Sequence, residues 1–201
     1  MDLDSIFSIP FLKFKLDIIS LHYVGKIADP HMSKKYQIIY ADPPWQYNYS
    51  ASNSRKIENQ YPTMLLEDIK NMNVPSEDNS ALYLWTTAPK LVEGIEVVKA
   101  WGFDYRSCLI WDKEIAGMGY WFRIQHEILL VGVKGNFSPP SASMRVPSII
   151  RVRRASHSDK PDQVRELISK WFPKMSKIEL FAREKTPLIK SDWDCWGNEI
   201  K

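Results

Sequence analysis

The stretch from Tyr36 to Trp45, which reads YQIIYADPPW, decides the fold of this chain. Its apolar part, YQIIYA, has the length and composition typical of a buried strand. Asp42, Pro43 and Pro44 follow at once, and the two prolines fix φ and remove both backbone donors. The pattern therefore predicts a strand that stops at a stiff loop carrying a carboxylate.

Further apolar runs predict strands that alternate with helices along the rest of the chain. The predicted strands are residues 81–87, 105–111, 127–133 and 177–182, and the predicted helices are residues 64–72, 89–101 and a segment from a cap at Asp159 through Pro161 to Trp171. This alternation predicts an α/β fold, with a mostly parallel sheet and helices on both faces. Because ligands bind beyond the carboxyl ends of such strands, Asp42 and Arg183 are expected at the same crevice.

The composition is that of a soluble globular protein. The chain has 201 residues, of which 44% are hydrophobic and 25% charged. Its net charge of +3 is compatible with a nucleic-acid partner but does not require one. The cysteines and histidines show no spacing typical of metal ligands, and no run approaches the length of about 20 apolar residues that spans a membrane. We therefore expect a cytoplasmic protein with no bound metal and no membrane segment.

Residues 1–31 differ from the rest of the chain and leave two interpretations open. Met32, which directly precedes a short polar segment and the first strand, resembles a second start, so the domain could be complete without residues 1–31. Alternatively, Phe7, Phe11, Phe14 and Ile18 have roughly helical spacing, which favours an amphipathic arm that packs on the domain. The predicted division is an N-terminal extension, 1–31, and a domain, 32–201.

The segment from Asp42 to Trp45 indicates a particular chemistry. An ionised carboxylate and proline carbonyls only accept hydrogen bonds, and an indole offers a flat face. Such a site suits an amino group on a flat ring, such as N6 of adenine or N4 of cytosine. Acceptors at Asp42 and at the Pro43 carbonyl would draw the nitrogen toward a tetrahedral shape and free its lone pair for a methyl group on a sulfonium. Trp45 would stack on the base, and the structural alternative is a proline-rich turn that ends an edge strand.

At these residues the chain resembles the adenine-N6 methyltransferase family that includes the catalytic subunit of the eukaryotic messenger-RNA methyltransferase complex and bacterial and phage relatives. It is more similar to the compact microbial branch. The matching segments are residues 42–45, 61–64, 82–85, 101–103, 111–113, 117–121, 126–127, 132–136, 157–162, 179–183 and 196–199. The resemblance implies a Rossmann-like S-adenosylmethionine-dependent methyltransferase over residues 32–201, in which the catalytic motif precedes the cofactor segment.

The resemblance also implies roles for single residues. Asp42, Pro43, Pro44 and Trp45 would form the catalytic motif, with Asp42 also beside the cofactor. Lys160 would contact the methionine part of S-adenosylmethionine. The positions that would hold its ribose and adenine parts are Phe181, Arg183, Asn198 and Glu199, and those near the target base are Tyr61 and Glu127. The chain departs from the eukaryotic subunit at Lys185-Thr186, which replace His-Asn, and at Glu199, which replaces an amide.

The nature of the substrate polymer is less well determined by the sequence. The microbial resemblance and the absence of an added RNA-binding module favour DNA over RNA, and a base in duplex DNA must be flipped out of the stack to react. The basic cluster Arg151, Arg153 and Arg154 is a candidate for phosphate contacts or a solvated surface run. Residues 117–119 are interpreted as a mobile substrate loop. The alternative from a different functional class is a non-catalytic nucleic-acid-binding partner with the same fold.

Overall fold

A seven-stranded sheet forms the centre of the molecule. The computed structural model describes residues 34–47, 62–117, 119, 121–153, 159–183 and 193–197. The strands are β1 (Tyr36–Ala41), β2 (Ser76–Thr86), β3 (Asp104–Asp112), β4 (His126–Lys134), β5 (Ile149–Arg151), β6 (Lys177–Leu180) and β7 (Trp193–Trp196). The helices are α1 (Leu66–Lys70), α2 (Leu91–Ala100) and α3 (Asp162–Trp171), with 3-10 turns at Ala88–Lys90 and Ala142–Met144.

The strands lie side by side in the order β5-β3-β4-β2-β1-β6-β7. Neighbouring strands pair in parallel except at β4, which is antiparallel to both β2 and β3. β4 reverses because residues 113–125 join it to β3 as a hairpin, whereas α1, α2 and α3 connect strands that run in the same direction. The sheet is therefore mostly parallel, as predicted, with one antiparallel strand in its interior.

Helices cover both faces of the sheet, which confirms the predicted layers. On one face, Val98 of α2 belongs to the same core cluster as Ile39 of β1. On the other face, Ile168 of α3 packs in a second cluster that contains Ile38. Side chains of β1 are thus buried on both faces except the half-buried Gln37, which explains why the strand is mostly apolar and does not alternate.

Some elements differ from the sequence prediction. β5 and β7 were not predicted, because three and four residues are too few to establish a period. The predicted helix at 64–72 shortens to α1, since Met64 pairs with Trp45 in an isolated parallel bridge. The cap predicted at Asp159 is wrong: a cap directly precedes the first helical residue, and Pro161 holds that position before Asp162.

Several predictions concern positions outside the described residues. These positions are residues 1–31, Tyr61, Met118 of the predicted substrate loop, Arg154, Lys185, Thr186, Asn198 and Glu199. The division of the chain at residue 32 therefore stays a prediction. Across the described ranges, no helix is both long and apolar enough to cross a membrane. In those same ranges, no three His, Cys, Asp or Glu side chains gather where they could hold a metal ion.

Candidate active site

Residues that are far apart in sequence meet at one edge of the sheet. Asp42 directly follows β1, and Lys160 lies just before α3. Glu127 is near the start of β4, where it lies opposite Trp111 near the end of β3. Because β4 runs antiparallel, its first residues lie at the edge where the parallel strands end. The reversed strand therefore brings Glu127 to the side of Asp42, an effect that sequence spacing does not reveal.

A four-membered network of charges occupies this edge. The Lys160 ammonium lies 2.5 Å from Oδ2 of Asp42 and 3.4 Å from Oε2 of Glu127. A second ammonium, that of Lys113, lies 3.3 Å from Oε1 of Glu127. The Lys160 side chain is only 9% exposed, so little water competes for its charge. Two carboxylates and two ammonium groups thus balance each other in a largely buried position.

Burial and neighbouring charges set the protonation of this network. Burial raises the pKa of Asp42 above its ordinary value, and the attraction of Lys160 opposes the rise only in part. Burial alone would also raise the pKa of Glu127, but Lys160 and Lys113 outweigh it and hold that pKa below its ordinary value. Burial would lower the pKa of Lys160, yet Asp42 and Glu127 outweigh it and raise the pKa. Lys160 is therefore a firmly charged group, and the pKa values of the two carboxylates are shifted in opposite directions.

The two prolines hold the loop after β1 in one shape. The Pro43 carbonyl accepts a hydrogen bond from the Trp45 backbone N–H at 2.9 Å, and the Pro44 carbonyl accepts one from the Met64 N–H, also at 2.9 Å. A carbonyl has two lone pairs, so Pro43 retains one acceptor site. Asp42 and Pro43 thus stand side by side as acceptors on a braced loop.

Trp45 has a structural task in this loop. Its indole N–H donates to the Trp85 carbonyl at 3.1 Å, and the side chain belongs to the hydrophobic core. Only 6% of Trp45 is exposed, so the open aromatic face expected from the sequence is mostly covered. Trp45 fastens the loop to β2, and its stacking on a base stays a prediction that requires the ring to be uncovered.

A buried polar layer lies behind Asp42 and Lys160. The Trp85 indole N–H donates to the Tyr40 hydroxyl at 2.6 Å, and the Lys160 ammonium lies 5.9 Å from the Trp85 ring centre. The Arg165 guanidinium lies 5.6 Å from the Tyr40 ring centre and donates to Glu179 at 2.7 Å. Burial raises the pKa of the Tyr40 hydroxyl, which therefore stays protonated.

This layer is not apparent from the sequence. Arg165 and Glu179 were not singled out, because charged residues on a helix and a strand are ordinarily solvent-exposed. One signal was available: Glu179 lies between Ile178 and Leu180 in a buried strand, and a carboxylate in a buried strand requires a partner. Arg165 is that partner, and it also donates to Asp162 in the first turn of α3. The pairing fixes the start of α3, and hence the approach of Lys160, against β6.

The end of β6 lies beside β7. Phe181 follows β6 with a φ of 63°, and its ring meets that of Trp196 edge to face at 5.8 Å. Ala182 donates its backbone N–H to the Trp196 carbonyl at 3.0 Å. A Cβ added at Gly197 would collide with the Ala182 carbonyl oxygen, so only glycine permits this approach. The predicted cofactor residues Phe181 and Arg183 therefore lie at the same edge as Asp42, and the Arg183 charge acts to lower the Asp42 pKa.

Exposed arginines flank the network on the β3 side. β5 pairs with the end of β3, where Asp112 lies opposite Arg151. The Arg151 guanidinium lies 3.5 Å from Oδ2 of Asp112 and remains largely exposed. Arg153, which follows β5, is also exposed. Two of the three arginines predicted for phosphate contacts are thus on the surface at the edge that carries Asp42.

Comparison with known proteins identifies relatives of this chain. The MT-A70 family profile matches residues 36–199. The type II methyltransferase M.MunI of Mycoplasma sp is 36% identical over 187 residues, which cover 83% of this chain and 78% of that protein. The N(6)-adenosine-methyltransferase catalytic subunit METTL3 of Homo sapiens is 30% identical over 185 residues, which cover 87% of this chain and 30% of that protein.

A plant relative extends the same pattern. The N(6)-adenosine-methyltransferase MT-A70-like protein of Arabidopsis thaliana is 27% identical over 175 residues, which cover 82% of this chain. This chain spans only 24% of the plant protein's length, so the eukaryotic relatives contain much that has no counterpart here. The profile match nevertheless runs from β1 past the end of β7. The chain therefore belongs to the MT-A70 family of S-adenosylmethionine-dependent adenine-N6 methyltransferases.

Proposed function

We propose that this protein methylates N6 of adenine in DNA and that Asp42 is the residue on which the transfer depends. The observation that carries the proposal is the Asp42 carboxylate, which follows β1 at the carboxyl edge of the sheet and is paired with the buried Lys160 ammonium. Support for DNA comes from the bacterial relative, a type II methyltransferase, because this chain spans 78% of it but only 30% of METTL3.

The side chains at the sheet edge fit the cofactor's chemistry. S-adenosylmethionine carries a carboxylate and two positive groups, an ammonium and a sulfonium, and when bound it supplies a methyl group on the positive sulfur. Lys160 offers a cation for the carboxylate, while Asp42 and Glu127 offer negative charge for the positive groups. Lys160 thus serves as the anchor of the methionine end, and Phe181, Arg183, Asn198 and Glu199 serve the ribose and adenine end.

Asp42 and Pro43 act on the adenine amino group. The two acceptors each accept a hydrogen bond from one N–H of the amino group, which weakens the delocalisation of the nitrogen lone pair into the ring. With S-adenosylmethionine bound, the freed lone pair of N6 would take the methyl group, and the sulfur would keep the electron pair of the carbon–sulfur bond. The methylated nitrogen loses one proton, and Asp42 accepts it. The raised pKa of Asp42 suits this step, because a more basic carboxylate holds a proton better.

Glu127 and Tyr61 are proposed to position the base. Glu127 is anchored by two ammonium groups, so its oxygens are fixed in place beside Asp42. An acceptor that is fixed beside the catalytic carboxylate can orient the flipped adenine. Stacking of Trp45 on the base is also proposed, and because only 6% of this residue is exposed it requires the ring to be uncovered.

The test is methyl transfer from labelled S-adenosylmethionine to matched single-stranded DNA, duplex DNA and RNA, followed by nucleoside digestion and mass spectrometry. We expect N6-methyladenine in DNA from the native protein and none from Asp42→Ala, which should still bind cofactor in calorimetry. Asp104→Ala is the matched control, because that carboxylate lies at the opposite end of β3 and is exposed. Label found only in RNA, only in cytosine or in no nucleoside would contradict the proposal.

A further inference from the structure

Trp121 and Phe122 are so exposed that packing in the hydrophobic core does not explain their presence. They are 92% and 85% exposed, respectively. The chain contains eight tryptophans, and each of the others is buried or half-buried. Two adjacent aromatic side chains in water have a cost that a folded protein ordinarily avoids, so a contiguous pair of this kind marks a binding surface.

Hydrogen bonds brace the described part of the loop that carries the pair, which is residues 113–117, 119 and 121–125. Two backbone bonds extend the hairpin beyond β3 and β4, from Lys113 N–H to the Gln125 carbonyl and from Gly117 N–H to the Ile124 carbonyl. The Arg123 guanidinium donates back to the Gly117 carbonyl at 3.2 Å. The aromatic pair is therefore held away from the sheet by a braced hairpin.

A glycine permits the turn at this tip. A Cβ added at Gly119 would overlap the Phe122 carbonyl oxygen. The chain can fold back this closely only because position 119 has no side chain. The outward position of Trp121 and Phe122 thus follows from the local sequence.

The hairpin rises from the edge that holds the proposed catalytic network. It begins after Asp112 at the end of β3 and returns at His126, whose neighbour Glu127 lies 3.4 Å from Lys160. The exposed cations of this region are complementary to a phosphate backbone: Arg123 directly follows the pair in sequence, and Arg151 lies opposite Asp112 at the base of the hairpin. A nucleic acid fits this combination better than a protein partner, because it offers both bases for aromatic faces and phosphates for cations.

We propose that Trp121 and Phe122 form an aromatic wedge that stacks on the bases of duplex DNA next to the target adenine. This proposal rests on the proposed function. A flipped adenine leaves a gap in the base stack, and an apolar side chain that enters the gap replaces the lost stacking. Arg123 and Arg151 contact the flanking phosphates. The wedge therefore lowers the cost of extracting the base, which duplex DNA requires and single-stranded DNA does not.

The test compares variants on two forms of one DNA, namely a linearised plasmid that lacks adenine methylation and the same linear plasmid after heat denaturation and rapid cooling. The variants are the double change Trp121→Ala with Phe122→Ala, the aromatic-retaining change Trp121→Phe, and the control Tyr105→Ala, an exposed aromatic at the opposite end of β3. N6-methyladenine is measured with saturating cofactor.

We expect the double alanine variant to lose at least about tenfold in kcat/KM on the duplex, the scale of one lost base–aromatic stack. Its loss on denatured plasmid should be much smaller, and Trp121→Phe should stay near the native value. Equal losses on both forms, or no loss on the duplex, would overturn the wedge. A control variant that loses as much as the double variant would overturn it as well.

A binding measurement separates this inference from the proposed function. Tryptophan fluorescence is titrated with duplex fragments in the absence of turnover, and we expect quenching in the native protein that is strongly reduced in Trp121→Phe. If the native protein methylates nothing but shows this quenching, the wedge stands and the proposed function fails. If the double alanine variant changes only the sedimentation of the free protein, the pair is a contact between protein copies and the wedge is wrong.

Discussion

The Lys160 ammonium lies 2.5 Å from the Asp42 carboxylate, although 118 positions of sequence separate them. Asp42 is fixed by the end of β1, and Lys160 by the segment that enters α3. The pair therefore connects the loop after β1 to the segment before α3, at the site where methyl transfer is proposed. A change at Lys160 should accordingly affect both the binding of cofactor and the protonation of Asp42.

Lys160→Met should move the acid limb of the pH–activity profile to higher pH. Burial already raises the pKa of Asp42, and the Lys160 charge is the largest effect that lowers it. Without that charge, Asp42 becomes protonated at a higher pH as the solution is acidified, and an acceptor is lost. The measurement is kcat against pH at saturating cofactor.

Lys113→Met is the matched control for this profile. Lys113 contacts Glu127 and is not among the charges that chiefly set the Asp42 pKa. The acid limb of the pH–activity profile of Lys113→Met should stay close to that of the native protein. Cofactor affinity in calorimetry should fall for Lys160→Met and much less for Lys113→Met, and an unchanged affinity for Lys160→Met would remove it from the cofactor site.

Glu127→Gln should destabilise the protein at neutral pH and have little effect in acid. The pKa of Glu127 is lowered in the folded protein, so its ionised form contributes stability above its unfolded pKa and loses it as pH falls through the folded pKa. We expect a loss of about 1–3 kcal/mol at pH 7. Urea unfolding at pH 7 and near pH 3 checks this, with the exposed Glu77→Gln as control. A loss of equal size at both pH values would contradict it.

Arg165→Met should cost about 3–5 kcal/mol in the free energy of unfolding, because it leaves the Glu179 carboxylate buried and unpaired. The double variant Arg165→Met with Glu179→Leu should recover much of that loss, since the unpaired charge is gone. Denaturant unfolding of the two single variants and the double variant forms a complete cycle. Additive losses would show that the two residues do not act as a pair.

Tyr40→Phe should destabilise the fold by about 1–3 kcal/mol, because the Trp85 indole N–H loses a buried acceptor. Trp85→Phe removes both the donor and ring volume and should cost more. Adding Tyr40→Phe to Trp85→Phe should then cost little further, since the hydrogen bond is already absent. The measurement is thermal unfolding, and a full additional loss in the double variant would contradict the assignment.

Part of the fold could be predicted from the sequence, and β1 shows why. A strand buried on both faces has a continuous apolar run, and the prolines after Asp42 mark its end. The direction of β4 could not be predicted, because a central antiparallel strand has the same apolar composition as a central parallel one. β5 and β7 were missed, since short strands at the two edges of the sheet have no clear period.

The candidate site was predictable to a similar extent. Asp42 and Lys160 were identified from motifs, but their direct pairing depends on the path of the chain between them. Trp45 was expected as an open platform because indole rings suit bases, and its burial follows from the bridge that pairs it with Met64. Arg165 was overlooked because its partner, Glu179, lies on a different element.

The reversal of β4 also has an evolutionary consequence. Residues 113–125 are one uninterrupted insert between two paired strands, so a longer or shorter insert leaves the ladder of β3 and β4 intact. Phe181 and Arg183, which are proposed to hold the ribose and adenine parts of the cofactor, follow β6, on the far side of β2 and β1 from this hairpin. The hairpin can therefore differ in length between relatives without displacing the groups at the end of β6.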